Sequence, residues 1–477
     1  MGAVLVLLSA VLGCAGVKSV AGDAGGPGSG GHGGASGSAG ATGGAVVSGS
    51  AVDASSLDSV SPTGNPGGCT NLQCQQVSCP GSETTSISGT AFAPDGKLPL
   101  FDVTVYVPNA PLPPFKSGVT CDRCNGAQPV HAVASAISDA KGQFRLTNVP
   151  VGKNIPVVFQ VGKWRRIVKL DSVTACQDNP ISDPNLSRLP RNQTEGDMPR
   201  IAVTTGGCDF LGCLFPQVGV DMSELGIAGQ NRAVTFYKGA NAPETANQPP
   251  VDASDATTLW TDGSELAKYD MLILSCECSE WVDNKGPKAY AAMTDYLAKG
   301  GRIFGTDYSY VWYRYMTDPK LKAAVTLQPA HPNVDLLANS PMLIDTTFPK
   351  GKALADWMGK AAIDADSIYD NVMSVMAPSA QVWATSLGQS GASGPRIFSV
   401  NTPVGVPSDQ QCGRAVHIDA HISPLATQIM QDMPVSFGML CGDQLSPGEA
   451  ALAFLLFDLA ACVQDDSRPV APPVIIP

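Results

Sequence analysis

The stretch from Tyr269 to Tyr310 leaves the fewest folds open. Residues 269–274 (Tyr-Asp-Met-Leu-Ile-Leu) are a short, nearly continuous apolar run, as a strand buried on both faces of a parallel sheet requires. The polar cluster 275–279 ends it. Residues 288–299 place Ala289, Ala292, Met293, Tyr296 and Leu297 at helical spacing, and Gly300-Gly301 supplies the stop. Residues 302–307 (Arg-Ile-Phe-Gly-Thr-Asp) then return to the sheet. A strand, helix, strand unit of this length is a right-handed crossover, so the surrounding domain is α/β with a mostly parallel sheet. Sites in such sheets lie at the carboxyl ends of the strands, which directs attention to residues 275–280 and 306–309.

The whole chain sets the bounds on that domain. Its 477 residues suffice for two or three domains, each with its own core. A net charge of -12 without any basic run argues against nucleic acid and against an anionic membrane surface. An apolar segment over residues 3–13 is too short to span a bilayer and ends at Val11-Leu-Gly-Cys14. This pattern resembles a bacterial lipoprotein signal, which implies export and a membrane-lipid anchor on Cys14. Ordinary cleavage after Ala21 is the other reading, and residues 1–21 are taken as the targeting segment. The expected location is the cell envelope, at its outer surface or in the periplasm.

Of 14 cysteines, 13 follow Cys14. In an exported chain these pair as disulfides, and the odd number leaves one free or paired outside the chain. Zinc is the alternative, with Cys74, Cys79, Cys121 and Cys124 as four thiolates.

Residues 22–68 are rich in Gly, Ser and Ala and lack aromatics, so they are expected to be a disordered tether, holding the folded part roughly 35–40 Å from an anchor. Residues 69–178 alternate in short runs (86–92, 103–107, 132–138, 143–146, 156–161, 164–169) between turn signals such as Asp95-Gly96, which predicts a small all-β sandwich. Residues 179–199 carry prolines at 180, 184, 190 and 199 and read as a linker. The α/β domain is expected over residues 200–465, with strands at 200–205, 232–237, 271–274 and 302–306 and late strands at 394–400 and 413–419. Residues 446–460 form its last helix, capped by Ser446 with Pro447 and Glu449 behind it. Residues 466–477 are a tail.

Two resemblances add to this. Ser88-Gly-Thr-Ala-Phe92, Val103-Thr-Val-Tyr106, Asp139-Ala-Lys-Gly-Gln-Phe144 and Leu146-Thr-Asn-Val-Pro-Val-Gly152 resemble the carboxypeptidase regulatory-like domain. That likeness implies a transthyretin-like sandwich, non-catalytic, serving as a spacer or adhesion module. Its Pro-rich insertion around Cys121 and Cys124 is a pinned loop or a recognition loop. The strand order of residues 200–463, with Tyr269-Asp-Met-Leu-Ile-Leu-Ser275, Gly300-Gly-Arg-Ile-Phe-Gly305 and a late histidine, is similar to the class I glutamine amidotransferase-like superfamily, trehalose-utilisation type. That family implies a cysteine nucleophile after the fourth strand, where this chain has Gly305-Thr-Asp-Tyr-Ser309. His421 matches the late histidine. A thioester glutaminase is therefore not expected.

The candidate catalytic residues are Asp307, Ser309 and His421, as a carboxylate and imidazole pair or as a hydroxyl nucleophile with its base. The bland alternative is that Asp307 caps the next segment and Ser309 faces solvent. Glu277, Trp281 and Tyr308 are candidate contacts for a glycan or peptide. His417 and His421 are four apart, but on a strand that separates them by ~13 Å, beyond the reach of one metal. Cys276 and Cys278 are expected to face Cys208 and Cys213 across adjacent turns, as disulfides or with a reactive thiol. No cofactor or metal is expected. The chain reads first as a surface binding or adhesion module with a non-catalytic amidotransferase-like domain, and alternatively as an extracellular hydrolase using Asp307 or Ser309 with His421.

Overall fold

The computed structural model describes residues 68–470, apart from 125–130, 210, 241–251, 330–340, 366, 388–392, 423–440 and 442–443. Cys14, the targeting segment and nearly all of the tether expected over 22–68 lie outside the described residues, as does the end of the tail.

The first strands form two small sheets. β1 (Ser86–Thr90), β4 (Gln143–Thr147) and β7 (Asp178–Ile181) make one, in the order β4-β1-β7; β2 (Thr104–Pro108), β3 (Ala132–Ile137), β5 (Gly152–Val161) and β6 (Trp164–Val173) make the other, in the order β3-β2-β5-β6. Alternation explains the packing. In β4, Phe144 and Leu146 are buried while Gln143, Arg145 and Thr147 face out. The Phe144 ring meets Phe159 of β5 edge-on at 5.6 Å across the sandwich. Residues 179–199, expected to be a linker, are built into the fold instead. β7 pairs with β1 in parallel, and Arg188 clamps Glu195 at 2.6 and 2.8 Å. That clamp holds the Glu195 carboxyl down at about 2.

The larger domain is a ten-stranded sheet in the order β15-β14-β18-β19-β20-β12-β11-β8-β10-β9. In chain order its members are β8 (Ile201–Thr204), β9 (Leu225–Ile227), β10 (Val234–Tyr237), β11 (Met271–Leu274), β12 (Arg302–Thr306), β14 (Met342–Ile344), β15 (Ala362–Ile363), β18 (Ala380–Leu387), β19 (Ser393–Thr402) and β20 (Gly413–Ile418). Three short strands stand beside it: β13 (Val325–Leu327) pairs with β17 (Val372–Val375), and β16 (Ser367–Ile368) with β21 (Ala420–His421). Strands β9 to β12 with β8 and β20 run parallel, and β14, β15, β18 and β19 join antiparallel. The sheet is thus mixed. Every residue of β8, β10, β11, β12 and β20 is buried, including the polar Arg302, Arg414 and His417, as strands covered on both faces require.

The helix expected over 288–299 is Val282–Ala298 with a break at Gly286 (φ 69°), so the regular turns begin at Pro287. The helix Pro447–Ala460 starts at Ser446 through a capping box with Glu449. It is buried on nearly every side because it separates the two sheet systems: Phe457 packs on Trp164 of the sandwich, and Phe454 stacks on Phe101. Gly162 passes so close to the Ala460 carbonyl that a Cβ there would sit 1.9 Å from its oxygen.

Two disulfides fasten this junction. Cys121 and Cys124, in the Pro-rich insertion, bond Cys412 and Cys462, 291 and 338 residues away. The insertion is pinned to the larger domain at both cysteines. Cys69–Cys74, Cys79–Cys176, Cys208–Cys278 and Cys213–Cys441 are the others among the described residues, and they leave no four-thiolate zinc site at Cys74, Cys79, Cys121 and Cys124. Six disulfides indicate an oxidising, extracellular environment. No described helix is long and apolar enough to cross a membrane.

Candidate active site

The strand sequence β10-β8-β11-β12-β20 puts β8 between β10 and β11, so the strand order reverses at β8. Ligand sites of open α/β sheets lie at such a reversal, beyond the carboxyl ends of the strands. Four of these ends converge here. Asp209 follows β8, Cys276 follows β11, Asp307 follows β12, and His421 stands just past β20.

Asp307 sits at a sharp turn from β12 into the short helical segment Asp307–Tyr310, with φ at 32°. A non-glycine residue held there stores backbone strain of about 1–3 kcal/mol, which the surrounding packing must impose. Gly305 makes the turn possible: a Cβ at that position would lie 2.8 Å from Ser309 Cβ. The sequence of the turn, Gly305-Thr-Asp307-Tyr-Ser309, lacks the serine and second glycine of a Gly-x-Ser-x-Gly elbow.

His421 is held from both sides. Its Nδ1 is 2.9 Å from Asp209 Oδ1 and its Nε2 is 3.4 Å from Asp307 Oδ2. The Tyr369 ring packs edge-on against the imidazole at 5.2 Å, and pairing of β21 with Ser367 of β16 fixes the backbone. Asp209 also accepts from the Thr306 hydroxyl. Asp307 accepts from Asn371 Nδ2 at 3.0 Å on Oδ1 and from the Cys276 thiol at 3.4 Å on Oδ2. Asn371 in turn donates to Asp419 at 2.6 Å. Asp419 is pushed up to about 6 by burial and then by the charge of Asp307, despite its hydrogen bonds from Asn371 and Val372 and the Arg396 guanidinium 3.9 Å away.

Cys276 is, among the described residues, the cysteine outside any disulfide, and it is fully buried. Burial and the charges of Asp307 and Asp209 raise its thiol well above the ordinary value. The Cys208 sulfur, bonded to Cys278, lies within 4.8 Å of Cys276 Sγ and of a His421 ring nitrogen.

The structure therefore brings Asp307 and His421 together, and adds Asp209, Asn371 and Cys276 to them. Ser309 goes elsewhere: its hydroxyl donates to the Leu274 carbonyl at 3.0 Å. Glu277 is buried and engaged, accepting from Lys285 at 2.6 Å and from the Ala240 amide at 2.6 Å. Trp281 is 37% exposed and donates its indole N–H to the Glu277 carbonyl at 2.8 Å. Tyr308, half-buried, stacks on Tyr310, whose hydroxyl donates to Glu280 at 2.6 Å. The two aromatics thus line the same end of the sheet. His417 is apart from the array's hydrogen bonds. It lies in β20 opposite Gly305, between the Tyr313 and Phe398 rings, and burial lowers it to about 3.

No family model matches the chain, and no curated protein matches it. Among solved structures, a thua-like protein from Parabacteroides merdae is similar over 58% of this chain and 95% of its own, at 12% identity and a TM-score of 0.33. A cold-adapted beta-galactosidase from Rahnella sp. R3 is similar over 48% of this chain and 30% of its own, at 10% identity and a TM-score of 0.25.

Proposed function

We propose that this chain is an exported protein, lipid-anchored at Cys14, whose α/β domain is a hydrolase acting on a glycan or peptide at the cell envelope. The observation that carries the reading is the approach of His421 Nε2 to Asp307 Oδ2 at 3.4 Å, at a strained turn. In this reading Asp307 faces the scissile bond. His421, oriented by Asp209 through Nδ1, moves the proton between water and leaving group. Trp281 and Tyr308 supply the faces on which a sugar ring or an aromatic peptide side chain would stack. The sandwich is a non-catalytic spacer, of the kind that its resemblance to carboxypeptidase regulatory-like domains implies.

A second reading is favoured by the burial of the array, since Asp307, Asp209 and His421 are at most 4% exposed. On that reading the domain is a non-catalytic binding or adhesion module and the polar cluster only shapes its interior.

Turnover separates the two. Chromogenic glycosides, esters and short peptides are assayed with the wild-type chain and with Asp307→Asn and His421→Gln. The hydrolase reading expects turnover in one substrate class, reduced at least ~10²-fold in both variants. No turnover in any class, or turnover that survives both substitutions, favours the binding module.

A further inference from the structure

One short segment outside the ten-stranded sheet touches both members of the Asp307–His421 pair. Residues 367–372 run from β16 into β17. Ser367 and Ile368 pair with His421 and Ala420, and the Tyr369 ring lies edge-on against the His421 imidazole at 5.2 Å. Two residues further on, Asn371 Nδ2 donates to Asp307 Oδ1 at 3.0 Å. Asp419 holds the segment in place. Its backbone carbonyl accepts from the Tyr369 amide at 2.9 Å, its Oδ2 from the Asn371 and Val372 amides at 2.8 and 3.1 Å, and its Oδ1 from Asn371 Nδ2 at 2.6 Å. Arg396 braces the far side, bonding Asp370 at 2.7 Å and standing 3.9 Å from Asp419.

The Asn371 amide is thus a bridge between two carboxylates. A primary amide nitrogen carries two hydrogens, and here each meets its own carboxylate oxygen in a charge-assisted bond. The flipped amide would set its carbonyl against both carboxylates, which fixes the assignment of nitrogen and oxygen. Asp307, Asn371 and Asp419 are each at most 1% exposed, so water does not compete for these bonds. Asn371 Oδ1 is buried with no hydrogen-bond partner among the described residues. An apolar side chain would avoid that penalty but would take from Asp307 and Asp419 the donor that they share. The bridge also selects an orientation. The χ2 torsion of an aspartate is broad, and a carboxylate gripped at Oδ1 keeps its Oδ2 on His421 Nε2, 3.4 Å away.

We propose that Asn371 is the positioning residue of this site: its amide, anchored by Asp419, fixes the Asp307 carboxylate so that one oxygen stays on His421. This deepens the hydrolase reading, on which it rests for the role of Asp307. Asn371 acts through Asp307 and not on the substrate.

The test pairs kinetics with titration, both on the full chain. In Asn371→Ala, kcat on the best substrate falls ~10–100-fold while KM stays the same, as lost alignment rather than lost binding requires. An unchanged kcat at a matched unfolding midpoint, or a loss confined to KM, would overturn the proposal. Carboxyl 13C NMR of Asp419 reads the bridge without turnover. Burial and then the Asp307 charge raise Asp419 to about 6, against the bond from Asn371; the charged groups facing it are Asp307 and Arg396, the latter paired with Asp370. Its midpoint rises in Asn371→Ala, which removes a bond to the charged form, and falls in Asp307→Asn, which removes the like charge. Failure of either shift overturns the bridge. Should Asn371→Ala not fold, hydrogen exchange of the Asn371 side-chain amide takes its place: both protons exchange slowly in the wild type and one is released in Asp307→Ala. Rapid exchange in the wild type, or no change in Asp307→Ala, overturns the bridge as well. Both titration shifts in a chain without turnover sink the hydrolase reading alone; turnover without the shifts sinks the bridge alone.

Discussion

Asp307 Oδ2 stands 3.4 Å from Cys276 Sγ and 3.4 Å from His421 Nε2, so one carboxylate oxygen links the thiol after the third parallel strand to the imidazole after the last. Residues 276, 307 and 421 meet there only because β11, β12 and β20 are neighbours in the sheet.

Cys276 gives the first prediction. Alkylation of the oxidised, folded chain should leave Cys276 unmodified, since it is buried, and alkylation after unfolding without reductant should label it. Peptide mapping reads the outcome. Label on Cys208 or Cys278 would contradict the pairing Cys208–Cys278.

The junction gives the second. Asp458 accepts from Lys350 at 2.6 Å and from Arg414 at 3.0 Å, and all three are buried. Asp458→Ala takes from Lys350 and Arg414 the carboxylate that bonds both, leaving Asp466 and, near Lys350, Asp102, and should cost about 3–5 kcal/mol in chemical denaturation. A cost under about 1 kcal/mol would mean that this network does not hold the last helix in place.

His417 predicts a pH dependence. Its folded value, about 3, lies below the 6.5 of the unfolded chain, so the unfolded state binds the extra proton first. The stability that this group contributes is fully present above 6.5 and falls as the pH drops from 6.5 towards 3, by about 1.4 kcal/mol per pH unit. Neither ring nitrogen has a hydrogen-bond partner, and the neighbours are aromatic. His417→Phe should therefore flatten the slope of stability between pH 6 and 4, ~2 units within that window. Unfolding midpoints across that range check it, and an unchanged slope would refute it.

Trp281 separates ligand contact from stability. It is 37% exposed and its indole makes one hydrogen bond to a carbonyl. Trp281→Ala should weaken glycan or peptide binding while changing stability by less than about 1 kcal/mol. Titration of the ligand alongside thermal unfolding measures both; a large stability loss with unaltered binding would make it a packing residue.

Much of the architecture is legible in local pattern. The strands at 201–204, 234–237, 271–274 and 302–306 are mostly apolar runs because both faces are covered, and Ser446 with Glu449 announces the last helix. Residues 179–199 were hidden by proline. Pro180 argues against a strand, yet β7 is an edge strand, where a missing N–H goes unneeded. In the site, Asp307 and His421 could be named because each follows a recognisable strand. Asp209 and Asn371 could not, since they come from irregular segments that only the fold brings close. Residues 305–309 lack the Gly-x-Ser-x-Gly pattern, so the positive φ of Asp307 has no local signature and is imposed by the packing around it. Which cysteine stays reduced follows from three-dimensional pairing alone.

The most direct test of a working site at Asp307 is the turnover number of the full chain on its best glycan, ester or peptide substrate, compared with Asp307→Asn, with unfolding midpoints measured on both. A fall in turnover of at least ~10²-fold at a matched midpoint is the expected result. Equal turnover in the two chains, or none in either, would contradict the account and leave the array as interior structure.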